Sequence, residues 1–270
     1  MNASAPMVMG ILNVTPDSFH DGGCFVDLDA AVRQASAMVL GGADWIDIGG
    51  ESTRPGAPSV SIDDELARVV PVIQAVRRAH PSLPISVDTT KAAVARAALA
   101  VGASAVNDVS ALADPDLAQV VAGAGCGLML MHMQGTPRTM QRQPHYDDVV
   151  AEVCGFLLER VERAERAGIP RERLWIDPGI GFGKTVSHNL ALLRGLPTLV
   201  ATGLPVLVGA SRKSFIGQVL GLDQTQDRLE GSLAVASLAV FAGAAMLRVH
   251  DVQATRRAVD MAWAVRGGAA

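Results

Sequence analysis

The chain has 270 residues, 49% of them hydrophobic and 4% aromatic, which fits a single domain with a core of small aliphatic side chains. Its net charge of −4, without any run of basic residues, argues against binding to nucleic acid or to an anionic membrane surface and favours a small-molecule partner. No apolar run reaches the roughly 18 residues that span a bilayer, and no secretory signal precedes the first apolar segment, so we expect a cytoplasmic protein.

Eight short apolar segments alternate with amphipathic stretches, and nearly every segment ends in a residue that can do chemistry. The predicted strands are residues 8–13, 44–50, 84–88, 104–108, 127–132, 174–179, 205–211 and 245–250. The predicted helices are Asp27–Leu40, 61–80, Lys91–Val101, Pro115–Ala124, Asp147–Ala167, Ser187–Ala201, Arg228–Ala242 and Val252–Val265. This alternation predicts an α/β fold, a closed parallel (β/α)8 TIM barrel forming one domain over residues 1–270. A doubly wound open sheet is the alternative.

Polar residues gather in the connections that follow the strands. The segments Val14–Val26 and Glu51–Val60 are rich in Gly, Pro, Ser and charge, and residues 133–146 form a third irregular stretch. Active sites of such barrels lie at the carboxyl ends of the strands. The strand ends and these loops are therefore expected to converge on one pocket that binds and covers a substrate.

Five motifs, in order along the whole chain, resemble the dihydropteroate synthase family. They are NVTPDSF at 13–19 followed by DGG at 21–23, GGESTRPGA at 49–57, DPGIGFGK at 177–184, GASRKSFIG at 209–217 and RVHD at 248–251. One departure is His20, where serine is expected in many members. The resemblance implies the same barrel and a transferase. Its reaction joins 6-hydroxymethyl-7,8-dihydropterin pyrophosphate to p-aminobenzoate, giving 7,8-dihydropteroate and pyrophosphate.

By this resemblance, a set of polar residues binds the pterin, whose edge presents N–H donors and a carbonyl to carboxylate, amide and ammonium groups. The residues are Asp88, Asn107, Asp177 and Lys213, with Met131 a minor candidate beneath the ring. For the two aspartates the alternative is a helix cap, because Asp after a strand often caps the next helix. We expect a dissociative substitution, in which the C–O bond breaks first and Asp88 counters the charge of the pterin cation.

The pyrophosphate leaving group calls for cationic side chains and a hard metal ion, because its negative charge must be stabilised as it departs. The residues that the resemblance assigns to it are Asn13, Thr53, Arg54, Arg248 and His250. Mg²⁺ is expected at the amide oxygen of Asn13, with help from Asp17 and Asp21. A surface ion pair is the alternative for Arg248. The expected catalytic residues are Asp88, Lys213, Arg54, Arg248 and His250.

The p-aminobenzoate site is expected to combine an aromatic wall with a cation or a helix start that binds the carboxylate. The residues that fit by resemblance are Phe19, Pro55, Phe182, Lys213 and Ser214. A core position is the alternative for Phe182, but its glycine-rich loop favours exposure. Sulfonamides inhibit this family, and because Phe19 and Pro55 have the usual form, sensitivity to these inhibitors is expected.

Two other functions stay open at this point. A pterin-binding methyltransferase of the corrinoid pathway shares the barrel and the pterin residues, but it does not need the pyrophosphate residues. A non-catalytic pterin-binding paralogue would have lost a key residue, and none of the assigned positions is lost. The resemblance also implies a homodimer, formed through the small apolar face of Ser232–Gly243.

Overall fold

The strands lie where the apolar segments predict them. The computed structural model describes residues 5–15 and 27–268. The strands are β1 Met7–Asn13, β2 Trp45–Gly49, β3 Ile85–Asp88, β4 Ala105–Asp108, β5 Gly127–Met131, β6 Leu174–Asp177, β7 Leu207–Val208 and β8 Met246–Val249. β7 is shorter than predicted, because Pro205 has no N–H to donate to a sheet.

The strands close into a barrel. All neighbours pair in parallel, in the order β6-β5-β4-β3-β2-β1-β8-β7. The two ends of this order meet where Ile176 bridges to Val206, and the Ile176 N–H donates to the Pro205 carbonyl at 3.1 Å. The prediction of a closed barrel is confirmed, and the open-sheet alternative is wrong.

Helices surround the barrel. They are α1 Leu28–Leu40, α2 Ile62–Ala79, α3 Ala92–Ala100, α4 Leu117–Ala124, α5 Val149–Arg166, α6 Val186–Arg194, α7 Leu196–Val200, α8 Ser214–Leu220, α9 Leu229–Ala242 and α10 Val252–Val265. Short 3-10 turns cover Arg171–Arg173 and Thr225–Arg228. Among the described residues, no helix is long and apolar enough to cross a membrane.

The prediction of one helix over Ser187–Ala201 is wrong. α6 ends at Arg194 and α7 begins at Leu196, with Gly195 between them. Pro197 lacks the N–H that a continuing helix would need. A Cβ at Gly195 would lie 2.7 Å from the Val150 side chain on α5, so the glycine also permits close packing there.

The barrel interior is apolar at one end and polar at the other. Inside it, a cluster of Met9, Ala105, Met129, Leu207 and Met246 is sealed from solvent, with Met7, Trp45 and Trp175 packed against it. These side chains come mostly from the first halves of the strands and fill the lower layers. Polar side chains follow at the carboxyl ends, so the fold leaves one chemical face, the mouth of the barrel.

Candidate active site

The five polar residues predicted to lie inside the mouth come from five different strands or strand ends. They are Asp88 on β3, Asn107 on β4, Asp177 on β6, Lys213 after β7 and Arg248 on β8. Asp88, Asn107 and Asp177 are each less than a tenth exposed. Closure of the barrel brings together groups that lie far apart in sequence.

Arg248 is held inside the mouth by two carboxylates. Its Nε donates to Asp47 Oδ2 at 2.6 Å and its Nη2 donates to Asp88 Oδ2 at 2.7 Å. The surface alternative for Arg248 is wrong, since Asp47 is wholly buried and Asp88 nearly so. The predicted contact of Arg248 with pyrophosphate stays a prediction.

Asp47 is a site residue that the sequence analysis missed. In addition to Arg248, it accepts a hydrogen bond from Ser86 Oγ at 2.5 Å and another from Asn107 Nδ2 at 3.0 Å. A signal was present in the sequence: a carboxylate stands in the middle of the apolar run 44–50, two residues after Trp45 and two before Gly49. Alternate residues of a strand share one face, so Asp47 faces the barrel interior.

Neither of the predicted aspartates caps a helix, so that alternative is wrong. Lys91 is the N-cap of α3 and Thr185 is the N-cap of α6. Asp177 Oδ1 instead accepts from the Gly179 N–H at 2.7 Å, within the turn that follows β6. Asp88 is bound to Arg248.

Burial in the mouth shifts the ionisation of its groups. It raises the pKa of Asp88 to about 7, and Asp47, Glu65 and Asp108 add to the rise while Arg248 opposes it. Burial also raises the pKa of Asp177, against the attraction of nearby cations, of which Lys213 is the strongest. Such shifts cluster at functional sites.

Lys213 lies between the mouth and the glycine-rich loop after β6. Its Nζ donates to the carbonyl of Ile180 and lies 4.4 Å from the centroid of the Phe182 ring. Burial lowers the pKa of Lys213 to about 8, although Asp177 and Asp88 favour its charged form. Phe182 is half-buried beside this ammonium group, which favours the loop position over the core alternative.

Met131 is the last residue of β5 and lies under the Gly179 turn. It is buried and pairs in register with Asp177, and a Cβ at Gly179 would lie 3.3 Å from its side chain. Its neighbour His132 is also buried, with Nδ1 at 3.0 Å from Lys184 Nζ. His132 is therefore a structural partner of Lys184 rather than a group open to substrate.

His250 ends β8 and is half-buried. Its Nδ1 lies 3.1 Å from Ser211 Oγ. Burial and then the positive charges of Arg248 and Arg212 lower the pKa of His250 to about 4, with a smaller contribution from Arg54. His250 is therefore neutral at neutral pH, and its predicted contact with pyrophosphate stays a prediction.

The loop after β2 closes one side of the mouth. Glu51, Ser52 and Thr53 of this loop line a cavity of about 290 Å³ that also reaches Asp88 and Thr136. The Gly56 N–H donates to the Pro137 carbonyl at 3.0 Å, so this loop contacts the irregular stretch after β5. Two of the three predicted substrate loops thus meet.

Two ion pairs hold the start of the same loop. Lys91 Nζ is bound to both Glu51 and Glu65, and Glu65 is wholly buried. The sequence motifs do not predict this group of three charged side chains. It fixes the start of the loop between β2 and α2.

The remaining predicted residues lie at the rim. Arg54, Pro55 and Ser214 are exposed, and Asn13 is half-buried at the end of β1, opposite Gly49. Phe19, His20, Asp17 and Asp21 lie outside the described residues. Within residues 5–15 and 27–268, no group of three or more His, Cys, Asp or Glu side chains is placed to hold a metal ion.

Known pterin-binding enzymes are similar to this chain over nearly its whole length. Residues 9–250 match the family described as pterin binding enzyme. Dihydropteroate synthase of Escherichia coli strain K12 is 50% identical over 259 residues, which are 96% of this chain and 91% of that protein.

Solved structures agree with this match. Yersinia pestis dihydropteroate synthase in a sulfonamide drug complex has a TM-score of 0.92 and 48% identity, covering 97% of this chain and 95% of that one. Xanthomonas albilineans dihydropteroate synthase in complex with 7,8-dihydropteroate has a TM-score of 0.88 and 48% identity, covering 97% and 94%.

Proposed function

The chain belongs to the dihydropteroate synthase family of pterin-binding enzymes, and on that premise we propose how its barrel mouth joins the two substrates. The pterin methylene carbon loses its bond to the pyrophosphate oxygen and gains a bond to the amine of p-aminobenzoate. The products are 7,8-dihydropteroate and pyrophosphate. The methyltransferase and paralogue alternatives have no observation in their favour.

The observation that carries the proposal is the set of buried groups at the strand ends. Asp88, Asn107 and Asp177 are buried close to the cations Lys213 and Arg248, and burial raises the pKa of Asp177 and lowers that of Lys213. Asp177 and Asn107 accept from the N–H edge of the pterin, and the Lys213 ammonium donates to its carbonyl. Met131 provides an apolar contact below the ring.

The proposed mechanism is dissociative. The C–O bond breaks first, its electron pair leaves with pyrophosphate, and the positive charge spreads from the methylene carbon over the dihydropterin ring. Asp88 counters that charge in its ionised form, because a carboxylate in a water-poor site interacts strongly with a cation. The neutral amine of p-aminobenzoate then attacks the carbon and loses a proton.

The departing pyrophosphate meets the rim and the end of β8. Arg54 and Arg248 supply positive charge, Thr53 a hydroxyl group, and neutral His250 an N–H group.

Mg²⁺ is proposed at the Asn13 amide oxygen. A hard cation prefers oxygen ligands and keeps several waters, so one protein oxygen is enough when the substrate supplies phosphate oxygens. The donor set fits this ion, because Asn13 is half-buried at the end of β1 and offers a neutral oxygen. When bound, Mg²⁺ supplies charge that stabilises the leaving group.

The p-aminobenzoate site is proposed at the rim. Its carboxylate meets Ser214 at the start of α8, and its ring lies beside Phe182, Pro55 and the aliphatic part of Lys213. Sulfonamides resemble p-aminobenzoate in shape, and the Yersinia pestis relative carries such a drug. We therefore expect sulfamethoxazole to compete with p-aminobenzoate for the pure enzyme, which an inhibition series at several p-aminobenzoate concentrations tests.

Pyrophosphate release measures this function most simply. The enzyme is given 6-hydroxymethyl-7,8-dihydropterin pyrophosphate and Mg²⁺, with and without p-aminobenzoate, while dihydropteroate is followed by chromatography. Release coupled to dihydropteroate formation supports the proposal. Pterin binding without any dihydropteroate contradicts it, and methyl transfer from methyltetrahydrofolate would then be assayed.

The assembly proposed for this enzyme is a homodimer of single-domain chains acting in the cytoplasm. The support is the outer face of α9 and its neighbour α10, where Leu238, Phe241 and Met261 are 69%, 56% and 64% exposed. Apolar side chains clustered on a surface favour contact with another chain. Light scattering tests the dimer: the mass of two chains agrees with it, and the mass of one chain removes it.

A further inference from the structure

Asp47 lies one layer below the predicted pterin residues and is wholly buried. It occupies the middle of β2, with Trp45 below it on the same face of the strand. A charge in this position is costly unless several donors satisfy it. No residue role proposed so far uses it, although it touches two residues that do have roles.

The donors to Asp47 come from three other strands. Oδ1 accepts from Ser86 Oγ at 2.5 Å, while Oδ2 accepts from Asn107 Nδ2 at 3.0 Å and from Arg248 Nε at 2.6 Å. An ionised carboxylate accepts hydrogen bonds and donates none. Each neighbour must therefore turn a donor towards it.

This requirement fixes the orientation of the Asn107 amide. The two ends of a carboxamide have nearly the same shape, so only hydrogen-bond partners decide which end faces which way. Beside Asp47 the Nδ2 group must face the carboxylate, and Oδ1 is left on the opposite side as an acceptor. A pterin N–H needs an acceptor at that place.

The same carboxylate fixes the plane of the Arg248 guanidinium. Nε is bound to Asp47 and Nη2 to Asp88. A guanidinium group is planar, so contacts at two of its nitrogens determine how it lies. Asp47 thereby keeps Arg248 beside the carboxylate proposed to counter the pterin cation.

We infer that Asp47 is a positioning residue for pterin recognition, which turns the Asn107 oxygen towards the pterin and holds Arg248 beside Asp88. The inference rests on the proposed function, because it assigns the specificity of that pocket to a residue beneath it. Asp47 acts through its two neighbours and touches no substrate.

The first test is Asp47→Leu, which keeps much of the side-chain volume and removes both accepting oxygens. Asn107 Nδ2 and Arg248 Nε then lose the one oxygen, Asp47 Oδ2, to which both donate. Calorimetry with 6-hydroxymethyl-7,8-dihydropterin is expected to give ~10–100-fold weaker binding, because the Asn107 amide is no longer held with its oxygen towards the pterin. The KM for p-aminobenzoate is expected to stay the same.

The second test is rescue by the conservative variant Asp47→Asn. Because Asn107 and Arg248 both donate to Oδ2, an amide oxygen at that place keeps both contacts, and the new amino group donates to Ser86 Oγ. Pterin affinity is expected to be about tenfold or more higher than in Asp47→Leu. In a double-mutant cycle, Asp47→Leu in the Asn107→Ala background is expected to cost little further affinity, which isolates the action of Asp47 through Asn107.

Ser86→Ala is the matched structural control. It removes one hydrogen bond from Asp47 and leaves the contacts to Asn107 and Arg248 intact. It is expected to lower Tm and to leave the pterin affinity within about twofold of the parent, since a lost hydrogen bond is paid for in stability only. Equal loss of affinity in Ser86→Ala and Asp47→Leu would overturn the inference, because it would mean that Asp47 only supports the strands.

Asn107→Ala separates this inference from the proposed function. If Asn107→Ala binds the pterin as tightly as the parent, the proposed pterin site fails. If it weakens binding while Asp47→Leu does not, or while Asp47→Leu weakens binding just as much in the Asn107→Ala background, the positioning role alone is overturned. Should Asp47→Leu not fold, Asp47→Ser carries the test, because the space it leaves admits water to Arg248 without fixing the Asn107 amide. It must bind the pterin more weakly than Asp47→Asn.

Discussion

The inner part of the mouth and its rim are built in different ways. In the inner part, Asp47, Asp88, Asn107 and Arg248 stand on strands and are joined by hydrogen bonds of 2.6–3.0 Å. At the rim, Arg54, Pro55 and Ser214 stand in loops or at a helix start, and all three are exposed.

This difference assigns different tasks to the two regions. Groups fixed on a barrel before substrate arrives cost no reorganisation during the reaction, so the inner part suits recognition of the pterin and stabilisation of its charge. Exposed groups are screened by water and gain more when a ligand covers them. The rim therefore suits the second substrate, p-aminobenzoate.

The largest effect is expected from Asp88→Asn. Loss of the charge that counters the pterin cation should lower kcat by ~10²–10³-fold, the range seen when one transition-state contact is removed. The dissociation constant of the pterin should change much less, because its ring is also held by Asn107, Asp177 and Lys213. Single-turnover kinetics and calorimetry measure the two quantities. Equal losses in kcat and in pterin affinity would contradict the role given to Asp88. Asp148→Asn, at the exposed N-cap of α5, serves as the control.

The turn after β6 should be the next most sensitive point. Gly179 has φ +65°, and a Cβ there would lie 1.9 Å from the His132 carbonyl oxygen, so Gly179→Ala must displace backbone. We expect a lower Tm and weaker pterin binding, since Asp177 and Lys213 both depend on this loop. Gly168→Ala is the control: φ is +93° there too, but nothing lies within 4 Å, so only the strain of about 1 kcal/mol applies. Equal effects of the two changes would mean that the close contact does not matter.

The pH dependence of kcat/KM should report on the ionisation of Asp88 and Lys213 in the inner part. Burial raises the pKa of Asp88 to about 7 and lowers that of Lys213 to about 8. Asp88 works ionised and Lys213 protonated, so kcat/KM should fall as pH drops below about 7 and as it rises above about 8. Lys213→Arg should remove the fall on the alkaline side. If the pH dependence of kcat/KM is the same in Lys213→Arg, the alkaline fall does not come from Lys213.

The same shift of Asp88 has a consequence for stability. Its pKa is raised in the folded state, so between pH 4 and 7 the folded protein binds more protons than the unfolded chain does. This group therefore makes the free energy of unfolding fall as pH rises through that range. In Asp88→Asn, chemical denaturation should show a weaker pH dependence over the same interval.

The smallest effect is expected at the rim. Arg54→Ala should raise the KM for the pterin pyrophosphate by less than about tenfold, because exposed charges contribute little. The pterin affinity of this variant, measured without pyrophosphate, should equal that of the parent. A large loss of pterin affinity would show that the rim and the inner part do not act separately.

The sequence predicts the barrel well because each strand is an apolar run that ends in a polar residue. Asp88, Asn107 and Asp177 were found this way, at strand ends. Asp47 was missed because it stands inside a strand, where its partners depend on register with other strands. Arg248 and Asp88 are 160 residues apart in sequence, and no local pattern indicates that contact. The break at Gly195 was missed because apolar periodicity continues across it.

In the proposed dissociative mechanism the C–O bond breaks before the amine attacks, and Asp88 in the inner part counters the charge of the pterin cation. Positional isotope exchange tests it directly: the pterin pyrophosphate carries ¹⁸O in the bridge to carbon, and the enzyme is supplied with Mg²⁺ but no p-aminobenzoate. We expect label to move to non-bridging positions with the parent enzyme, somewhat more slowly with Arg54→Ala, and much more slowly with Asp88→Asn. Exchange that occurs only when p-aminobenzoate is bound would contradict the account, because the amine would then take part in breaking the bond.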